Sequence, residues 1–188
     1  MKLLCFGDSN TYGYAPRSFL GERYAAPWPA LLQAETGWEI INAGQNGREI
    51  PHGAYQFQQF ERLLACYGTF DRMTIMLGGN DLLQNSSFTA KDTAARMEVF
   101  LQHLLKSASP SSLLLIAPPL MQPGVWVTEE RLLRESAMLG AEYDALAKKL
   151  GVPFADSAHW GVEVVFDGVH FSEDGHRAFA NGLRPFLQ

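Results

Sequence analysis

The chain has 188 residues, 47% of them hydrophobic and 19% charged, and carries a formal net charge of −5. That length and balance suit one folded domain with a full core, taken here to span residues 1–188. An acidic chain without a basic patch offers no footing for nucleic acid or for an anionic membrane, so neither is expected as a partner.

Met1-Lys2 runs straight into a strand-like segment, with no charged region followed by an apolar one and a cleavage site. The longest apolar stretch, 113–117, is far too short to span a bilayer. Cys5 and Cys66 are the two cysteines, and neither sits in a C-x-x-C pair. A disulfide framework is therefore not expected, and the chain reads as cytoplasmic.

In chain order, the first apolar run, 3–6, delivers Gly7-Asp8-Ser9-Asn10 at its carboxyl end. A long connection over 11–27 follows, carrying Tyr12, Tyr14, Phe19 and Tyr24, and then a helical stretch at 28–35. The second run, 39–41, leads into Asn42-Ala43-Gly44. A helix over 55–67 follows, with Phe57, Phe60, Leu63 and Leu64 on one face. The third run, 73–77, ends in Gly78-Gly79-Asn80-Asp81, which reads as a turn or a site. A helix over 89–107 starts with Thr89 as its cap. The fourth run, 113–117, opens a second long connection, 118–127, with Met121, Val125 and Trp126.

The clearest helix spans 128–150, with Glu129 and Glu130 in its first turn, Lys148 and Lys149 in its last, and Gly151 as its stop. A short fifth strand at 152–154, the segment Asp167-Gly168-Val169-His170, and a last helix over 173–187 capped by Ser172 complete the chain. Continuous apolar runs alternating with helices predict strands buried on both faces of a parallel sheet, in an α/β three-layer fold. Ser9, Gly44 and Asn80 each fall just past one of the first three strands. In the strand order 2-1-3-4-5 they meet in one cleft at the carboxyl ends.

The chemistry these residues could perform is acyl transfer. Ser9 would be the nucleophile, His170 the base, and Asp167 the carboxylate that fixes the tautomer of the ring. The N–H groups of Ser9 and Gly44 and the side-chain amide of Asn80 would meet an oxyanion. Tyr14, Trp126, Trp160 and Phe166 are candidates for a substrate-binding wall, with plain core packing an equal reading. His52 and His159 lie in loops that could line the cleft, whereas His103 and His176 sit in helices. Arg48 reads as solvated surface, or as a contact for an anionic or polyhydroxyl substrate. No H-E-x-x-H or tight His/Asp cluster points to a metal. No G-x-S-x-G marks an α/β-hydrolase elbow. A different class remains open: Gly7-Asp8-Ser9-Asn10-Thr11 also looks like a phosphate-cradling loop, as in a flavin- or phosphate-binding flavodoxin-like protein, although Asn80 and the Asp167–His170 pair then go unexplained.

The four segments together resemble the sequence blocks of GDSL-type esterases of the SGNH hydrolase superfamily. Gly7-Asp8-Ser9 matches the first block, Asn42-Ala43-Gly44 the second, Gly78-Gly79-Asn80-Asp81 the third and Asp167-Gly168-Val169-His170 the last. The resemblance covers residues 7–170, and over 7–28 it is nearest to intracellular aryl esterases and acyltransferases. It implies a flavodoxin-like three-layer α/β/α fold with a five-stranded parallel sheet and hydrolysis of small acetyl or aryl esters through an acyl-serine intermediate. It also implies no cofactor and no metal. A carbohydrate O-deacetylase, a thioesterase or a lysophospholipase of the same fold are its alternatives, and the uncovered aromatic loops leave room for a homo-oligomer. One departure stands out: the Leu of the family's naming motif is Asn10 here.

Overall fold

Alternate residues of the short apolar runs are buried on opposite sides of one sheet. The computed structural model describes residues 1–16 and 21–187; Phe19, named above as a loop aromatic, lies outside them. Strands β1 (Lys2–Gly7), β2 (Glu39–Gly44), β3 (Arg72–Met76), β4 (Leu113–Ala117) and β5 (Phe154–Asp156) form a parallel sheet in the order β2-β1-β3-β4-β5, as expected. Leu3, Cys5, Leu114 and Ile116 point into one core with Trp28 and Leu32 of α2 (Trp28–Thr36) and Phe179 and Leu183 of α7 (Glu173–Leu183). Leu4, Phe6, Leu113 and Leu115 point into the other. There they meet Phe60 of α3 (Gly53–Tyr67), Phe100 of α5 (Ala90–Leu104) and Leu139 of α6 (Glu130–Leu150). Each such side chain contributes roughly 1.5–3 kcal/mol on burial, which is why the strands read as unbroken apolar runs.

The helix ends follow local chemistry. Thr89 caps α5 in a capping box with Asp92, and Ser172 caps α7 through the Gly175 N–H. Gly151 closes α6 in the left-handed region at φ 69°. Several boundaries differ from the sequence reading: α3 starts two residues earlier, at Gly53, and α5 and α7 stop at Leu104 and Leu183, short of 107 and 187. Helix α6 begins at Glu130 instead of Thr128. Strand β5 begins at Phe154, because the Val152 N–H still bonds to Ala147 O and Pro153 brings only a carbonyl, which accepts from the Leu115 N–H. The third block is not a bare turn: Gly78 caps a short helix, α4 (Gly79–Gln84).

Register positions the site. Gly7 at the end of β1 lies opposite Gly44 of β2 and Met76 of β3, so the carboxyl ends of three strands are level. The one-turn helix α1 (Ser9–Tyr12) packs directly on Gly44, where a Cβ would lie 2.1 Å from the Tyr12 nitrogen. Asn42 holds this contact: its Nδ2 donates to Thr11 O at 2.7 Å, and its Oδ1 accepts from the Gly44 N–H at 2.9 Å. Among the described residues, no helix is long and apolar enough to cross a membrane.

Gly44→Ala drives a methyl into backbone that cannot move aside, so it is expected to cost about 1–3 kcal/mol. Thermal melting measures this; an unchanged midpoint would mean that α1 does not rest on Gly44.

Candidate active site

Ser9 opens α1, and Asp8 is the residue that caps it. The Asp8 carboxylate accepts from the Asn10 N–H at 2.9 Å, while the Gly13 N–H returns to Ser9 O to close the turn. The first N–H groups of a helix have no partner within it, and the Ser9 N–H is one of these.

Asp167 and His170 occupy one tight turn. Gly168, at φ 83°, makes the turn possible, since a Cβ there would meet Gln122 O at 2.1 Å. Asp167 Oδ1 accepts from the Val169 and His170 N–H groups, both at 2.9 Å. Its Oδ2 lies 2.7 Å from His170 Nδ1, and His170 Nε2 lies 2.9 Å from Ser9 Oγ. Burial alone would raise the Asp167 carboxyl; the bonds from the His170 ring and from the two N–H groups outweigh it and hold the group below the usual carboxylate range. An ionised carboxylate on Nδ1 leaves Nε2 free to accept the proton of the Ser9 hydroxyl.

Asn80 sits in the first turn of α4, and its Nδ2 donates to Arg48 O at 3.1 Å. The loop that carries Arg48 is fixed to α4 from below. Asp81 Oδ2 accepts from the Ile50 N–H at 3.0 Å, and Asp81 Oδ1 pairs with Arg96 at 2.7 Å. Gly44 lies at the same level, but its N–H is already engaged by Asn42.

A cavity of about 560 Å³ opens over Ser9 and His170. Tyr14 and Trp126 wall it and contact the His170 ring at centroid distances of 4.8 and 4.9 Å. Trp126 is placed there by a backbone strap, with Val125 N–H on Phe166 O and Trp126 N–H on Asp167 O. Two expected wall residues are elsewhere. Trp160 packs on Phe179 and Phe186 in the α2–α7 core, where the last helix claims its indole. Phe166 lends only its carbonyl to the strap, and its ring projects to solvent at 55% exposure.

The other histidines are occupied away from Ser9. His52 Nδ1 bonds to Ile50 O, and His103 stacks on Phe57 and pairs with Glu61. His159 lines a separate hollow beside Asp144 and Asp156. His176 accepts the Trp28 N–H, and burial, followed by the neighbouring His170 ring, lowers it to about 4. Among the described residues, no group of three or more His, Cys, Asp or Glu side chains could hold a metal ion.

Several site residues escaped the sequence. Arg48 is half-buried instead of lying on solvated surface: its guanidinium stacks on Phe6 and donates to Gly7 O at 2.8 Å and to Ala43 O, binding the ends of β1 and β2. Asn46, Leu83 and Gln84 complete the cavity wall, with Gln84 Nε2 closing on Gly47 O. Asn10 bonds to the backbone on both sides of His170. Polarity was visible at each of these positions except Leu83; their partners were not.

Residues 5–178 match the GDSL-like Lipase/Acylhydrolase family. The fold is similar to the aryl esterase of M. smegmatis, at 29% identity and a TM-score of 0.82, over 99% of each chain. It is similar to a carbohydrate acetylesterase family member from Sinorhizobium meliloti at 26% identity and a TM-score of 0.83, over 99% of this chain and 96% of that one. Among curated proteins, none matches the sequence.

Asp8 stands apart from Asp167 electrostatically. Burial raises it to about 6, against the Asn10 N–H and the neighbouring His170 and Arg48 side chains. A carboxyl raised on folding stabilises the native state below its unfolded pKa of about 4. That stability is lost as pH climbs through about 6. Wild type should therefore lose roughly 2 kcal/mol relative to Asp8→Asn between pH 4 and 7, and then run parallel to it. Denaturant melts of both proteins across that range measure the difference; a constant gap would contradict the assignment.

Proposed function

The chain belongs to the GDSL-like lipase/acylhydrolase family and is an ester hydrolase, and from that premise we propose that it cleaves small short-acyl esters, acetyl and aryl esters foremost, through an acyl-Ser9 intermediate. The observation that supports this most is the unbroken chain of short bonds from Asp167 through His170 to Ser9 at the floor of an open cavity. Ser9 Oγ attacks the ester carbonyl carbon while His170 Nε2 takes the hydroxyl proton. The tetrahedral oxyanion then collapses, and the alcohol leaves with that proton. Water attacks the acyl-Ser9 carbonyl with His170 again as base, which releases the carboxylic acid and restores the serine.

The oxyanion would be met by the Ser9 N–H, by the second hydrogen of Asn80 Nδ2, and by the Gly44 N–H in a bond shared with Asn42. Tyr14 and Trp126 flank the imidazole, so a planar aryl leaving group suits the mouth of the cavity. A second reading, a sugar acetate, is favoured by the amides of Asn46 and Gln84 on the same wall, which fit a polyhydroxyl alcohol. The setting proposed is cytoplasmic and free of nucleic acid, in keeping with a net charge of −5 and two cysteines outside any disulfide. Exposed Val125, Trp126 and Phe166 leave room for a homo-oligomer.

Against p-nitrophenyl acetate, Ser9→Ala should lower kcat at least about 1,000-fold. Asn80→Ala should lower kcat about 100- to 1,000-fold with KM nearly unchanged, because the oxyanion exists only in the transition state. An undiminished rate in Ser9→Ala would end the proposal. In a parallel panel, acetylated xylose outpacing the aryl ester in kcat/KM would select the sugar reading.

A further inference from the structure

We infer that Asn10 is a positioning residue for His170, resting on the proposed ester hydrolysis by Ser9 and His170. Its Nδ2 donates to Val169 O at 3.0 Å, and its Oδ1 accepts from the Phe171 N–H at 3.0 Å. A single side chain thus clasps the peptide groups immediately before and after the imidazole-bearing residue. The same residue follows Ser9 in α1, and its own N–H is held by Asp8.

The geometry explains why the clasp matters. Asp167 orients the ring, but Asp167 and His170 share one turn, so their bond cannot fix that turn relative to the nucleophile. The turn's other backbone ties lead away from α1: Gln122 N–H to Gly168 O and Trp126 N–H to Asp167 O reach the 118–127 loop, while Val165 N–H to His170 O and Gly168 N–H to Val165 O stay within the segment just before it. Among the described residues, the hydrogen bonds that join α1 to the His170 segment are the Asn10 pair and the Ser9–His170 bond itself. Asn10 is therefore what holds the base at reach before substrate arrives.

The chemistry selects an amide. One donor and one acceptor at the end of a short side chain match one C=O and one N–H two residues apart. Leu, which occupies this position in the family's naming motif, can make neither bond. Asn10 is only 8% exposed, so water competes weakly for either bond. A drift of about 1 Å between nucleophile and base can cost about 100-fold in rate.

The test compares wild type with Asn10→Leu and Asn10→Ala, using p-nitrophenyl acetate kinetics, thermal melting, and the downfield NMR resonance of the His170 Nδ1 proton, identified by its loss in His170→Ala. The expected result is a kcat lowered about 10- to 100-fold with KM within threefold, and a resonance that shifts or broadens. Asn10→Ala adds no volume, and its kinetics and resonance settle the question if Asn10→Leu fails to fold. A lowered melting point with kcat and the resonance unmoved would overturn the inference, since Asn10 would then be structural only. The resonance is read without substrate, so it still decides the matter if wild type hydrolyses no ester and the esterase reading itself fails.

Discussion

The site depends on a register. Gly7 pairs with Gly44 on one side and Met76 on the other, so three chain segments leave the sheet at one level. Parallel pairing makes this possible, because every strand delivers its carboxyl end to the same edge. Backbone ladder bonds hold the level, and the absence of a side chain at Gly44 lets α1 settle onto it. Ser9 is thereby fixed to within one helical turn of the sheet, and Asn80 rises beside it on α4. His170 arrives from the far end of the chain, and its loop is fastened to the strap over 122–126 and to Asn10.

Charge in the site is arranged by how many donors each carboxylate receives. Asp167 receives the His170 ring and two backbone N–H groups and stays ionised in a buried turn. Asp8, equally enclosed, receives the Asn10 N–H, and burial carries its carboxyl up to about 6. Asp81 is likewise raised by burial, with the Ile50 N–H and Arg96 acting against it. Two of these carboxylates serve architecture, capping α1 and anchoring the 48–50 loop, and one faces the base. The sequence motifs place all three next to a block residue, so only their hydrogen-bond partners tell them apart.

The strands and most helices were legible because burial on both faces leaves an unbroken apolar signature, and caps such as Thr89 and Ser172 act through neighbours three residues away. Helix α4 was not legible: six residues beginning Gly79-Asn80-Asp81 have little helical propensity, and packing against α6 supplies what they lack. The segments carrying Ser9, Asn80, Asp167 and His170 were found because each closes a strand or a turn, and those ends converge by topology. Trp160 stood open between cavity wall and core because an aromatic after β5 can turn to either side of the sheet, and the choice is made by α7. Asn10 was visible as a departure from the motif, while its partners lie 159 and 161 residues away. Local chemistry could not reach them.

The central claim is that a base at residue 170 makes the hydroxyl at residue 9 nucleophilic. Intact-mass spectrometry after exposure to an organophosphate, with peptide mapping, tests it most directly. The account predicts one adduct, on Ser9, formed rapidly in wild type and far more slowly in His170→Ala. An adduct on another residue, or equal labelling of Ser9 with and without the imidazole, would contradict it.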